Sequence, residues 1–254
     1  MNHSKTYLSP NEFRIFAHRG STEGGAYENT LESFRYAVEA GVRYLETDVQ
    51  ATSDGVAVLF HDDGTARLLG MPGRIGQFSL RELRELSARR GFRIPTLQEA
   101  LERFPTTNFN LDIKASKAVM PTVEAIKTAG AESRVLVSSF SLARRQLACS
   151  KLAGVATSAD QQTFLKIYFA YKLGIKSLLD LLLHDVDALQ IPISYGPFRF
   201  ATAKFINCMH TRGVEVHFWT VNDTEVATRL KALGANGIVT DKGKMMLEVL
   251  SKGN

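Results

Sequence analysis

The feature that most constrains this chain is a strand-like segment followed by a helix-like one, repeated eight times between Arg14 and the C-terminal region. The predicted strands are Arg14–His18, Tyr44–Val49, Asn108–Ile113, Arg134–Ser138, Val155–Ser158, Ala188–Ile193, Glu215–Val221 and Gly237–Thr240. A strand returned to its sheet through a helix pairs in parallel, so the alternation predicts a parallel sheet wrapped by helices. Eight rounds with short connections fit a closed (β/α)8 TIM barrel better than an open doubly wound sheet. The 254 residues match the roughly 250 typical of such a barrel.

Local chemistry marks the helix ends. Asn29 with Glu32, Ser79 with Glu82 and Thr96 with Glu99 each read as an N-cap with an acid three residues on. Gly41, Gly130, Gly174, Gly213 and Gly234 follow periodic segments, where a left-handed residue closes the last turn. One connection is long: residues 62–95, between the second strand and its barrel helix, predict a small flap containing the amphipathic helix FSLRELREL. Its arginines either raise the potential near an anionic substrate or pair with Glu82 and Glu85 on a solvated face. No internal repeat or low-complexity tract divides the rest, so residues 14–250 read as one barrel domain.

A composition of 44% apolar and 22% charged residues supplies a large core and excludes disordered and fibrous classes. The net charge of +5 favours anionic partners without distinguishing among them. Cys149 and Cys208 lack metal-site spacing and read as buried hydrophobes in a reducing compartment. The first residues, MNHSKTYLSPNEF, carry no export signal, so the expected location is cytoplasmic. His3 reads as part of this tail. The stretch 164–183 is apolar, but Lys166, Lys172, Lys176 and Asp180 interrupt it, so it does not read as a membrane span. It is expected to pack on the barrel, with peripheral contact to a membrane as the alternative.

Side chains two apart on a strand share a face, which groups Glu46 with Asp48 and, on the next strand, Asn110 with Asp112 and Lys114. Leu45, Val49, Leu111 and Ile113 take the opposite, helix-covered face, so the acids point into the barrel. Unpaired charge there costs several kcal/mol per ion unless a cation is close. Oxygen-only donors suit Mg²⁺, Ca²⁺ or Mn²⁺ rather than zinc. A structural ion-pair cluster, with Asp112 held by Lys114, is the competing reading.

His18 and His61 fall at strand ends, where barrel enzymes carry catalytic groups. An imidazole exchanges protons near neutral pH, and two of them across a phosphate supply a base and an acid. Arg19 adds a fork for phosphate oxygens. His184 and His210 lie near helix ends, and His217 reads as a hydrogen-bonded core histidine on the strand face it shares with Trp219.

HRG, ENT, ETD, HDDGTARLLG, LDIK, SSF, WTVN and GIVTD occur in an order and spacing that resembles the glycerophosphodiester phosphodiesterase family, from about Arg14 to Asp241. The resemblance implies a (β/α)8 barrel that hydrolyses small-molecule glycerophosphodiesters to glycerol 3-phosphate and an alcohol, with one divalent cation and no nucleic acid. By motif, His18 and His61 resemble the catalytic histidines, and Arg19 and Lys114 the phosphate-binding cations. Glu46, Asp48 and Asp112 resemble the metal ligands, Trp219 the aromatic at the barrel mouth, and Glu28 a residue that positions the first loop. Tyr27 stands where the family commonly has proline, which predicts a less rigid loop. Asp112 stands where glutamate is usual and is one methylene shorter. A lipid-cleaving relative, similar to lysophospholipase D or sphingomyelinase D, and a non-catalytic diester-binding barrel are the alternatives.

Overall fold

The computed structural model describes residues 6–10 and 12–251, so His3 lies outside the described residues. Eight parallel strands run in chain order around a nearly closed barrel: β1 (Arg14–His18), β2 (Tyr44–Ala51), β3 (Asn108–Ile113), β4 (Val135–Ser138), β5 (Ala156–Thr157), β6 (Ala188–Pro192), β7 (Glu215–Trp219) and β8 (Gly237–Thr240). Hydrogen-bonded pairing runs from β5 through β1 to β8 and on to β6. The seam between β5 and β6 is held by the bridge of Ser158 with Ala188 and by the Ala159 amide, which donates to the Ala188 carbonyl at 3.0 Å.

All eight predicted strands are present, with ends that differ. β2 runs two residues further, to Ala51, because a short antiparallel strand, Ala57–Leu59, pairs with its extension. β5 shrinks to two residues, and β6 and β7 stop at Pro192 and Trp219, where the chain leaves the sheet for the mouth loops. The longer helices are α1 (Leu31–Glu39), α2 (Leu80–Ala88), α3 (Leu97–Arg103), α4 (Val119–Thr128), α5 (Leu142–Lys151), α6 (Gln161–Leu173), α7 (Lys176–Leu183), α8 (Ala203–His210), α9 (Thr224–Ala232) and α10 (Gly243–Ser251). Ser79 and Thr96 cap α2 and α3 through the expected boxes with Glu82 and Glu99. The cap of α1 is Thr30, boxed with Ser33, and not Asn29. Asn29 instead sits one residue outside the helix at φ 57°, its side chain turned into the barrel.

Outward residues of the strands, among them Leu45, Val49, Leu111 and Ile113, pack under the helices as the alternation requires. Inside the barrel, Phe16, Tyr44, Leu136, Ala156, Ala188 and Val239 form an apolar floor. The polar N-terminal segment contributes to it: buried Tyr7 packs edge-on to Tyr44 at 5.6 Å. Beside this floor, buried Arg14 pairs with Glu215 at 2.8 Å, and Glu215 accepts from His217 at 2.9 Å. His217 is therefore the core histidine its neighbours predict, and burial holds its pKa below the ordinary value. The two cysteines lie on α5 and α8 and are free, half-buried rather than fully buried.

The insertion after β2 is more than a flap. Val58, Phe60, Leu69, Ile75, Leu83 and Ile94 give it a small core of its own. Several of its arginines pair locally, Arg84 and Arg93 both with Glu99 and Arg74 with Asp63, as a solvated face would. The apolar stretch 164–183 is split at Gly174 (φ 71°) into α6 and α7, and no helix among the described residues is long and apolar enough to cross a membrane.

Candidate active site

At the C-terminal ends of the strands a cavity of about 700 Å³ opens to solvent, with His18, Arg19, Glu46, Asp48, His61, Asp112, Lys114 and Trp219 all in its lining. Eight of the nine predicted site residues thus meet at one mouth, although they come from four barrel strands and their loops. The ninth, Glu28, stands just outside and pairs with Arg19 and Arg67.

The first loop is set by two left-handed residues, Arg19 (φ 58°) and Asn29 (φ 57°), a conformation that L-residues adopt at a cost. The Asn29 amide N–H donates to the Arg19 carbonyl at 2.9 Å, and the Arg19 N–H donates to the Glu46 carbonyl at 2.9 Å. Gly20 follows because any Cβ would come within 2.7 Å of the Ser33 carbonyl carbon. The reward for the strained turn is the placement of buried Asn29. Its Nδ2 donates to Asp48 at 3.0 Å while its Oδ1 accepts from Thr47 Oγ1 at 2.6 Å.

The charges divide unevenly among the three inward acids. Lys114 Nζ lies 2.9 Å from Asp48 and 2.7 Å from Asp112, and Arg19 Nε is 3.1 Å from Asp48, an ion pair without hydrogen-bond alignment. Burial alone would raise the Asp48 pKa, but Lys114 and Arg19 prevail and hold it below the usual carboxylate range. Burial alone would lower the Lys114 pKa, yet Asp112 and Asp48 together push it up. Glu46 has the weakest compensation: burial, then the charges of Asp48 and Asp112, raise it well above the ordinary value. Asp112 is also raised, by burial first, and its Oδ1 is buried without a donor.

This donor set fits a hard divalent cation in its chemistry. The donors are all oxygen, Glu46 lacks a full counter-charge, and one oxygen of Asp112 is unsatisfied. Among the described residues no three acids or histidines converge on one point, since Lys114 stands between Asp48 and Asp112. The Asp112 carboxylate accepts from Lys114 Nζ at 2.7 Å.

Both histidines are held through Nδ1. His18 Nδ1 is 2.7 Å from Asp241 and His61 Nδ1 is 2.6 Å from Asp62, so each ring is anchored to a carboxylate at the same nitrogen. Asp241 is fixed in turn by Asn222 Nδ2 at 2.6 Å. Asp62 accepts from Arg67 Nε at 2.5 Å, and that bond, with His61, pushes its pKa down to about 2 despite partial burial. Arg67 also donates to Glu28 at 2.6 Å, and Glu28 accepts from Arg19 at 3.1 Å. One arginine of the insertion therefore links the supports of His61 and Arg19.

Sequence reasoning did not assign Asp62, Arg67, Asp241, Asn222 or Asn29 to the site. Four of them lie inside the motifs HDDGTARLLG, WTVN and GIVTD, and Asn29 inside ENT, so the signal was position within a motif without a role attached. Tyr27 does not loosen the first loop as expected. Its hydroxyl donates to the Arg90 carbonyl at 2.9 Å and its ring stacks on Phe92 at 4.3 Å, clamping the loop to the insertion.

The far side of the cavity differs. Trp219 meets Phe140 edge-on at 6.3 Å, and Phe164, Tyr168, Phe169, Phe198 and Phe200 continue an aromatic wall.

Residues 18–245 match the glycerophosphoryl diester phosphodiesterase family. A Mycobacterium tuberculosis protein named probable glycerophosphodiester phosphodiesterase 2 is 37% identical over 92% of this chain and 89% of its own. A Caldanaerobacter subterraneus glycerophosphodiester phosphodiesterase is 31% identical over 94% and 98%. Among solved structures, an Oleispira antarctica phosphodiesterase in complex with the product sn-glycerol-3-phosphate superposes with a TM-score of 0.76, at 26% identity over 94% of this chain and 96% of that one.

Proposed function

This chain belongs to the glycerophosphoryl diester phosphodiesterase family, and on that premise we propose that it hydrolyses a glycerophosphodiester to sn-glycerol 3-phosphate and an alcohol, with His18 and His61 as the proton carriers. The observation that supports this most is the pairing of two imidazoles, each anchored through Nδ1 by a carboxylate, at one cavity that also holds Arg19 and Lys114.

Water adds across the ester P–O bond. One histidine takes the proton of the attacking water and the other delivers a proton to the departing alkoxide, so charge and protons balance. Asp241 and Asp62 fix the orientation of the two rings through Nδ1. Arg19 and Lys114 face the phosphoryl oxygens, where negative charge grows in the transition state. A divalent cation held by Glu46, Asp48 and Asp112 would neutralise the diester and hold its glycerol hydroxyls. Lys114, paired with two acids, can exchange one of them for phosphate. Residues 14–250 would act as one catalytic unit.

The aromatic wall favours a second reading, in which the diester carries an acyl chain and the product is an acylated glycerol phosphate. A seven-hundred-Å³ cavity with one apolar half exceeds the needs of a glycerol and a phosphate. Release of glycerol 3-phosphate from glycerophosphocholine, measured beside turnover of lysophosphatidylcholine, separates the two. Failure to cleave either with Mg²⁺, Ca²⁺ or Mn²⁺ present would remove both and leave a binding barrel.

A further inference from the structure

The cavity mouth is ringed on one side by large apolar side chains that solvent reaches. Leu165, Phe169 and Leu173 recur every fourth residue on α6, so they form one stripe along the helix. They are 43%, 50% and 72% exposed. The stripe begins inside the cavity wall, at Leu165 and Phe169, and leaves it at Leu173. Across the opening, the hairpin of Ser194–Tyr195 and Phe198–Arg199 brings Phe198 against Phe169 at 6.2 Å and leaves Tyr195 73% exposed. A contiguous exposed apolar set of this kind marks an interaction surface.

Its charge is of one sign. Residues 161–179 contain Lys166, Lys172 and Lys176 and no acid, and residues 188–214 contain Arg199, Lys204 and Arg212 and no acid. Arg212 is paired with Asp180 at 2.6 Å, while Lys166, Lys172, Lys176, Arg199 and Lys204 are exposed.

We propose that this rim, α6 with the 194–199 hairpin, seats the protein on an anionic lipid bilayer with the cavity mouth at the interface. Aromatic and leucine side chains flanked by lysines are the chemistry of a helix lying in the headgroup layer, where apolar burial and attraction to anionic lipid act together. A second copy of the chain fits poorly, because a two-fold contact would set these cations against their own images. The inference holds whichever diester the site cleaves.

Co-sedimentation tests it, using vesicles of phosphatidylglycerol with phosphatidylcholine and vesicles of phosphatidylcholine alone. The protein is expected in the pellet with the first and largely in the supernatant with the second, and added salt should release it. L173D, and separately the pair K172E and K176E, should lower partitioning by about tenfold or more. These positions lie outside the cavity, so hydrolysis of soluble glycerophosphocholine and the melting temperature should stay as in the parent. Absence of the parent protein from the anionic pellet overturns the proposal. So does undiminished partitioning of both variants, or a dimer in solution that either variant dissolves while vesicles bind nothing.

Discussion

Arg67 Nε stands 2.5 Å from Oδ2 of Asp62, and through this contact the insertion after β2 reaches the ring of His61. Arg67→Ala should lower kcat by about tenfold or more with a smaller change in KM, the scale seen when a group that orients a reactive residue is removed. Arg67→Lys should recover part of the loss. Steady-state kinetics with glycerophosphocholine checks this, and an unchanged kcat would deny the link a positioning role.

The same contact carries a pH signature. Asp62 is held at about 2, below the ordinary carboxylate value near 3.9, so its pairing stabilises the fold above pH ~4 and the contribution is lost as pH falls through about 2. For a group about one-quarter exposed, the stabilisation is about 1–2 kcal/mol. The melting-temperature gap between the parent and Arg67→Ala should therefore be constant at neutral pH and close between pH ~4 and ~2. A gap that persists at the acid end would place its origin elsewhere.

His18→Ala and His61→Ala should each leave the fold intact and lower turnover by about 10² or more, the usual scale for a positioned acid or base. Near-parent rates in purified variants would sink the assignment of that histidine.

Chelation should abolish turnover, and Mg²⁺, Ca²⁺ or Mn²⁺ should restore it. Glu46→Gln should remove the activity while raising the melting temperature of the chelated protein, because it deletes a buried carboxylate that lacks a full counter-charge. Full activity in excess chelator would reject the cation, and a less stable Glu46→Gln protein would reject the account of its burial.

Asn29 is the fifth test. Asn29→Asp keeps the size and tolerates the left-handed backbone, but sets a carboxylate against Asp48 where an N–H donated at 3.0 Å. It should cost about 2 kcal/mol or more of stability, as a buried donor is exchanged for like charge. Chemical denaturation measures this, and a neutral result would mean that the contact with Asp48 is dispensable.

Much of the architecture was legible in the chain itself. Alternation on β2 and β3 separated Leu45 and Leu111 from Glu46 and Asp112 because strand geometry sends successive side chains to opposite faces wherever the strand lies. Ser79 and Thr96 were readable as caps because a cap is satisfied within its own turn. At Asn29 the same local rule failed. Thr30 takes the cap, and Asn29 is drawn away by Asp48 on another strand, a partner that no local pattern reveals.

The sequence by itself determined which residues could face the barrel interior and which loops would meet at its mouth, because period and turn chemistry act over a few residues. Only the tertiary structure decided how those residues neutralise one another. The Asp241 support of His18 lies 223 positions away and becomes a neighbour when β8 pairs with β1. Lys114 chooses Asp48 and Asp112 together only because β2 and β3 are in register, with Asp48 opposite Asp112. Electrostatic compensation depends on distance in space, and in a barrel that distance is set by closure of the sheet.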